Sequence, residues 1–399
     1  MFFLVVVAVY VPSMRNGFVY DDHEVILAQA APHSLADLGR IFSEPHVKGW
    51  SYYRPVTRAT LLYQKTLHGD VPAPFHLVNG VLMGVAGLLA YSLLRLPAFG
   101  VRPLVALFAA AAFAVHPVAS SCVHPIASGR ETVLPAVLIL AALYAFLRGG
   151  AVWHGLAMVF LAAALFSKEQ AVIAPALFLF ADLLGLSTNP PGRDIRQWFG
   201  RYLLIALVML LYLLIRWSLF GGTEYDLSEF AARGGPLWSF GYAMQSIVMP
   251  FWSLRYEPVL KVWVEYPRLI FSVVLILAIT VAGVRHSWSS RRLVLFWLSW
   301  FLVTLLPTAN LLHQEARFAE RYGFLAMLAI LGMAAGMFSV AWDSGRARPW
   351  LGIAGVVLAA WVLMCAGVSV HRAGYYRSDA VFFGCGPIPT HRWLTITLE

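Results

Sequence analysis

The sequence predicts an all-α polytopic membrane protein of about eleven transmembrane helices, with an amphipathic helix in its first outside loop. Two compositional facts lead to this: 60% of the 399 residues are hydrophobic and only 12% are charged. A soluble domain carries about 25% charged residues. The third fact is positional, since apolar runs of membrane-spanning length recur along the whole chain. The mean hydropathy of +0.72 agrees.

Spans are expected near 1–12, 74–94, 103–118, 131–147, 152–166, 171–186, 202–219, 269–284, 293–312, 323–341 and 350–370. The first run, Met1–Val11, is about half the ~20 residues a span needs. It lacks the basic start and small-residue cleavage site of a signal peptide, as expected of a chain whose first helix begins upstream. Residues 238–253 are apolar but short, and they contain Gly241, Gln245 and Pro250. They are expected to form a re-entrant or interfacial helix. The division is then a bundle over 1–370 and a short outside segment over 371–399.

The net charge of +9 raises the question of nucleic acid, and the positions of the charges answer it. With the N-terminus inside, the inner loops carry eleven arginines, from Arg95 to Arg348, against Asp182, Asp194 and Asp343. The outer segments hold the other 18 basic and 17 acidic residues. This is positive-inside asymmetry, so the basic balance reports topology. Arginine outnumbers lysine 25 to 4, which fits a GC-rich bacterial genome and a bacterial inner membrane. Cys122, Cys365 and Cys385 make no disulfide framework. Cys122 and Cys385 share the outer side, although free thiols are the simpler expectation.

The first outside loop, about 13–73, opens with Tyr20-Asp21-Asp22-His23-Glu24. Its run Ser34–Phe42 places Leu35, Leu38, Ile41 and Phe42 at helical spacing, with Ser34 as N-cap and Asp37 three residues later. Such a helix would lie on the outer membrane surface. Five outer connections place ionisable residues at one membrane face, which is where chemistry is expected.

Asp21 and Asp22 are adjacent carboxylates whose repulsion raises one pKa, and an acid at the rim of an apolar cavity suits general-base work. The plainer reading of the pair is a cap plus a solvated charge. Arg54, Arg130, Lys168 and Arg321 are the cations of the same face, near Glu131, Glu169 and Glu320. Singly they read as snorkelling or ion-paired side chains. Together they suit a phosphate at the lipid–water boundary, arginine by bidentate bonding and lysine as a point charge. His116 and His124 each precede a proline and read as hydrogen bonders. No Cys or His shows zinc-ligand spacing, and a divalent ion at Asp21 and Asp22 has no independent support in the sequence.

The motifs in order are more specific than any one alone. They run Asn16-Gly17-Phe18-Val19-Tyr20-Asp21-Asp22, Tyr53-Arg54-Pro55, Phe75-His76-Leu77-Val78-Asn79, His116-Pro117-Val118 and Gly129-Arg130-Glu131. Ser167-Lys168-Glu169-Gln170, Pro175 with Asp182, and Glu320-Arg321-Tyr322 complete the series. It resembles the transmembrane and tetratricopeptide-repeat O-mannosyltransferases, members of the GT-C superfamily of polyprenyl-phosphate-sugar glycosyltransferases. The likeness runs from about residue 16 to 390.

The resemblance implies a GT-C-like bundle and an inverting transfer of mannose or another hexose to a protein or glycan acceptor at the extracytoplasmic face. It implies a lipid-linked sugar as donor and no other firm cofactor. Asp21, with Asp22 as partner, takes the place of the catalytic acid. Arg130, Lys168, Arg321 and Arg54 fall where donor phosphate is bound, and His116, Glu131, Glu169, Glu320 and Tyr322 where supporting residues stand. Relatives often carry an acid between the His-Pro and Gly-Arg motifs, where this chain has Ala119-Ser120-Ser121. Residues Tyr375–Pro389 resemble the approach to the repeats, which the sequence to Glu399 does not contain. A separate repeat-containing or acceptor-recruiting partner is the corresponding expectation. Two other classes fit the composition. One is a transporter or lipid flippase, which predicts paired halves and midplane charges; the other is a degenerate scaffold.

Overall fold

The computed structural model describes residues 1–49, 52–192, 194–221, 235–248, 250, 288–309, 319–344 and 348–384, with isolated positions between 270 and 281. Every regular element among them is helical. The helices are α1 (Phe2–Tyr10), α2 (Leu38–Ser43), α3 (Pro55–His68), α4 (Pro72–Leu94), α5 (Pro103–Val115), α6 (Pro117–Ser120), α7 (Ala127–Arg148) and α8 (Ala151–Leu165). They continue as α9 (Ala174–Leu183), α10 (Ile195–Phe220), α11 (Gly235–Val248), α12 (Trp288–Leu305), α13 (Phe324–Asp343), α14 (Arg348–Arg372) and α15 (Asp379–Gly384).

Proline and glycine set many of the boundaries. Pro55, Pro72, Pro103 and Pro117 open α3, α4, α5 and α6, where a missing N–H costs nothing and φ is already helical. Gly69, Gly149 and Gly221 close α3, α7 and α10 with φ of 61°, 67° and 63°, a conformation open to glycine without a Cβ clash.

Six stretches are long and apolar enough to cross a membrane: Pro72–Leu94, Ala127–Arg148, Ile195–Phe220, Arg291–Thr308, Glu320–Asp343 and Gly352–Tyr376. Phe2–Arg15, Pro103–Val115 and Ala151–Leu165 are apolar but shorter. The expected count of eleven is therefore not reached among the described residues. His116 ends α5 because a residue before proline is pushed out of the helical region, and its ψ is 145°. The run 171–186 is divided between a 3-10 turn, Glu169–Ile173, and the ten-residue α9. The expected span 269–284 lies outside the described residues apart from its isolated positions.

Helix α7 is the axis of the bundle. It packs against α3, α4, α8 and α9 and is 78% buried over its apolar window, against 11% for Ile195–Phe220 and for Gly352–Tyr376. Those two stretches turn long apolar faces outward, as spans facing lipid do. Small residues let neighbouring helices close on one another. A Cβ on Gly84 would come within 2.7 Å of Phe3, and one on Gly332 within 2.4 Å of Trp297. Phe146 and Phe178 stack at 4.4 Å between α7 and α9.

The described part of the short apolar run 238–253 forms α11, fourteen residues long. Tyr242–Ile247 are buried beside the Glu320–Gly323 turn. The amphipathic run of the first loop is not one helix. It divides into a 3-10 turn, Leu35–Asp37, and the six-residue α2. Asp37 accepts hydrogen bonds from the His33 and Ser34 N–H groups at 2.9 and 3.0 Å. Ile41 is buried, while Leu35 is 76% exposed. Cys122 and Cys365 are free, buried thiols; Cys385 lies outside the described residues.

The ion pairs sort by side. Arg102 with Asp343 and Arg201 with Asp182 join residues from the predicted inner loops. Arg54 with Glu131 and Glu169, Arg58 with Glu44, Lys65 with Asp70, Arg372 with Glu320, and His23 with Asp379 join predicted outer residues. Among the described residues no ion pair crosses between the two sets.

Candidate active site

The site is built where the first loop meets the N-terminal end of α7. Asp22 is 1% exposed. Its Oδ2 accepts the Val19 N–H at 2.9 Å and its Oδ1 accepts the Ala127 N–H at 2.7 Å. It therefore caps a helix that begins 105 residues away, filling one of the orphan N–H positions of α7. Burial pushes its pKa up to about 7, against the backbone N–H groups that favour the charged form. Asp21 is only half-buried. The two adjacent acids, equivalent in the sequence, thus occupy different settings.

The residue before them is held in an unusual conformation. Tyr20 has φ of 56°, in the left-handed region that costs an L-residue about 1–2 kcal/mol. Its N–H donates to Asp379 Oδ1 at 2.9 Å, and the other oxygen of Asp379 lies 2.7 Å from His23 Nε2.

The second part of the site is a charge cluster. Arg54, just before α3, donates to Glu131 Oε2 at 2.5 Å from Nη1, and to Glu169 through both Nε (2.9 Å) and Nη2. His46, fully buried, bonds Glu131 Oε1 at 2.7 Å through Nε2. Burial opposes the charge of Arg54, but Glu169 and Glu131 overcome it and drive its pKa upward. Burial likewise opposes the charge of Glu169, and Arg54 draws its pKa down to about 2. Arg54 is thus a bridge between two carboxylates and not an open cation.

Lys168 is different. It is 6% exposed, and among the described residues its ammonium has no hydrogen-bond or ion-pair partner. Burial and the nearby Arg54 lower its pKa to about 8, with Arg321 adding to the repulsion. Glu131 and Glu169, both already bonded by Arg54, offset only part of this, and a buried cation with no direct partner is a place where an anion would be stabilised.

Helix α7 brings the two parts together. Ala127 engages Asp22, and Glu131, four residues or about 6 Å along the axis, engages Arg54 and His46. The intervening Arg130 is held in neutral surroundings. Its Nε donates to Asn79 Oδ1 at 2.6 Å and its Nη2 to Gln64 Oε1 at 2.9 Å. Its guanidinium ties α7 to α3 and α4 and does not join the cluster around Lys168. Gly129 is required there, since a Cβ would come within 2.8 Å of the Cys122 carbonyl.

The remaining predicted residues are His116 and the Glu320–Tyr322 turn, whose Arg321 is near enough to repel Lys168. His116 caps α6, its Nδ1 accepting the Val118 N–H at 3.1 Å, and its Nε2 donates to the Ile247 carbonyl at 3.1 Å. Glu320 pairs with Arg372 Nη1 at 2.6 Å, which ties the Glu320-Arg321-Tyr322 turn to α14. The Arg321 guanidinium lies 5.7 Å over the Tyr322 ring. His46, Arg372 and Asp379 join these contacts and were not singled out by the sequence, whereas Asn79 stood there only as the end of the Phe75–Asn79 motif. Of these three, Arg372 carried a signal in its place just after the apolar run 350–370. Among the described residues no three His, Cys, Asp or Glu side chains converge as a metal would need.

Comparison with known proteins supports the motif series. No family model matches the chain. Over 199 residues it is 32% identical to Protein O-mannosyl-transferase Tmtc1 of Drosophila melanogaster, covering 46% of this chain and 22% of that protein. Over 182 residues it is 30% and 28% identical to Protein O-mannosyl-transferase TMTC3 of Mus musculus and Homo sapiens, covering 42% of this chain and 19% and 20% of theirs. The match thus spans about a fifth of the length of these relatives. Over part of its length the chain resembles the TMTC protein O-mannosyl-transferases.

Proposed function

We propose that the chain is a membrane glycosyltransferase of GT-C type. It transfers mannose or another hexose from a polyprenyl phosphate to a hydroxyl of a protein or glycan. The site faces the extracytoplasmic side of a bacterial plasma membrane, and acceptor recruitment falls to a partner chain. The observation that carries this reading is Lys168, a buried ammonium that makes no direct hydrogen bond or ion pair among the described residues and lies beside the Arg54–Glu131–Glu169 cluster.

Asp21 takes the proton of the acceptor hydroxyl as its oxygen attacks the anomeric carbon. The bond from that carbon to the phosphate oxygen breaks, and the bonding pair leaves with the lipid phosphate. Lys168 and Arg321 hold the charge that develops there. One displacement inverts the anomeric centre. Asp22, whose oxygens are taken by backbone N–H groups, fixes the loop that carries Asp21. Arg54 and Arg130 hold the frame, with His46, His116, Glu131, Glu169, Glu320 and Tyr322 in support.

The test uses the protein in nanodiscs with polyprenyl-phosphate hexoses and serine- or threonine-containing peptides. Wild type should consume donor and mass-tag the peptide by one hexose. Asp21→Asn and Lys168→Met should both abolish this, while Asp22→Asn lowers stability more than turnover. Full transfer by both Asp21→Asn and Lys168→Met would sink the reading.

A further inference from the structure

Residues beyond α14 fold back onto the loop that carries Asp21, held there by four hydrogen bonds and a ring contact. Asn16 Nδ2 donates to the Ala373 carbonyl at 2.8 Å, and the Gly17 N–H to the Arg377 carbonyl at 3.1 Å. Asp379 then accepts from the Tyr20 N–H and bonds His23 at 2.9 and 2.7 Å. Phe382 of α15 lies 5.6 Å from the Tyr20 ring and 5.5 Å from the Tyr376 ring.

The two partners of Asp379 flank the acidic pair. Tyr20 is the one non-glycine residue with positive φ among the described residues, and Asp21 follows it. Left-handed backbone at such a residue persists only where its surroundings over-determine it. Here they do so from both sides: Asp379 fixes the Tyr20 amide, while Asp22 is locked onto Val19 and Ala127. Asp21 is suspended between two anchors, one on α7 and one on the segment after α14.

We infer that Asp379 is a positioning residue for the transfer: by clamping Tyr20 and His23 it sets the direction in which the Asp21 carboxylate is presented. It touches neither substrate in this scheme and acts through the backbone of the 19–23 turn. The inference rests on Asp21 being the base. Asp379 and His23 are partly exposed, with side chains 36% and 48% accessible, so substitutions there need not disturb the bundle.

Asp379→Ala and His23→Ala are compared with wild type in nanodiscs by hydrogen exchange of the 16–24 peptide and by transfer kinetics. In Asp379→Ala the peptide should exchange about tenfold faster, and kcat should fall at least about tenfold through misplacement of the base. KM for donor and acceptor should stay within about twofold, and Tm within about 2 °C. His23→Ala, which removes one arm, should fall between it and wild type, and Asp379→Asn, which keeps an oxygen for the Tyr20 N–H, should lose less than Asp379→Ala. Unchanged exchange would overturn the clamp. Faster exchange with wild-type kcat would overturn the positioning role. A wild-type chain that transfers no sugar would instead overturn the reading of function, and positioning with it, while exchange would still show whether the clamp exists.

Discussion

Asp22 and Ala127, 105 residues apart, are joined by a 2.7 Å hydrogen bond that docks the first loop on the end of α7. Asp22→Ala leaves the Ala127 and Val19 N–H groups without their acceptor and should destabilise the protein by about 2 kcal/mol. Because burial raises the folded pKa to about 7, the folded chain retains a proton that the unfolded chain releases near pH 4. Stability should therefore fall as pH rises from about 4 to about 7, by at most about 1.4 kcal/mol per unit from this group, and then level off. Melting temperatures of wild type and Asp22→Asn across that range check it: the advantage of wild type should shrink toward pH 7.

Lys168 presents the opposite trade. Removing a buried charge that makes no direct hydrogen bond or ion pair among the described residues should not destabilise the empty protein, so Lys168→Met is expected to match or exceed the wild-type Tm. Its kcat/KM should fall by about 100-fold or more, as for loss of a donor to developing charge. With the ammonium titrating at about 8 in the empty site, wild-type kcat/KM should decline above that pH. A flat profile to pH 9.5 would remove Lys168 from the phosphate.

Arg54 holds two carboxylates at once, so Arg54→Gln should cost about 3–5 kcal/mol by leaving buried negative charge uncompensated. Adding Glu131→Gln should recover part of that loss. A double-mutant cycle by thermal unfolding should give a coupling of at least 1 kcal/mol, roughly the lower range for residues in contact. An additive pair would mean that the bridge contributes little.

The division of charges fixes a labelling experiment. In a background without native cysteines, Asp70→Cys should react with a membrane-impermeant maleimide in intact cells. Arg196→Cys should react only after permeabilisation. Both residues are exposed, so access depends on the membrane. The reverse pattern would invert the orientation.

The expected division of charges could be drawn in one dimension because charge near a bilayer is tied to position along the chain. Sorting loops by Arg95, Arg148 and Arg348 on one side and Glu131, Lys168 and Glu320 on the other needs no contacts, and every ion pair between described residues respects it. What the sequence could not rank were residues of like chemistry. Asp21 and Asp22 separate only through a bond to Ala127, and Arg54 and Lys168 only because one meets Glu131 and Glu169. His46 and Asp379 left no trace, since their roles exist only across 85 and about 356 residues of intervening chain. The run at Ser34–Phe42 is helical in two pieces and not one, since the six-residue α2 starts at Leu38 directly after a 3-10 turn.

The bond from Asn16 to Ala373 joins positions 357 residues apart, and contacts of such separation form late in folding. During synthesis the N-terminal loop emerges first, yet one of its anchors follows 357 residues later. Until residues 373–379 have been translated and placed, the acidic turn lacks its second support. A nascent chain cut before residue 373 would thus hold the 19–23 turn on its α7 side alone.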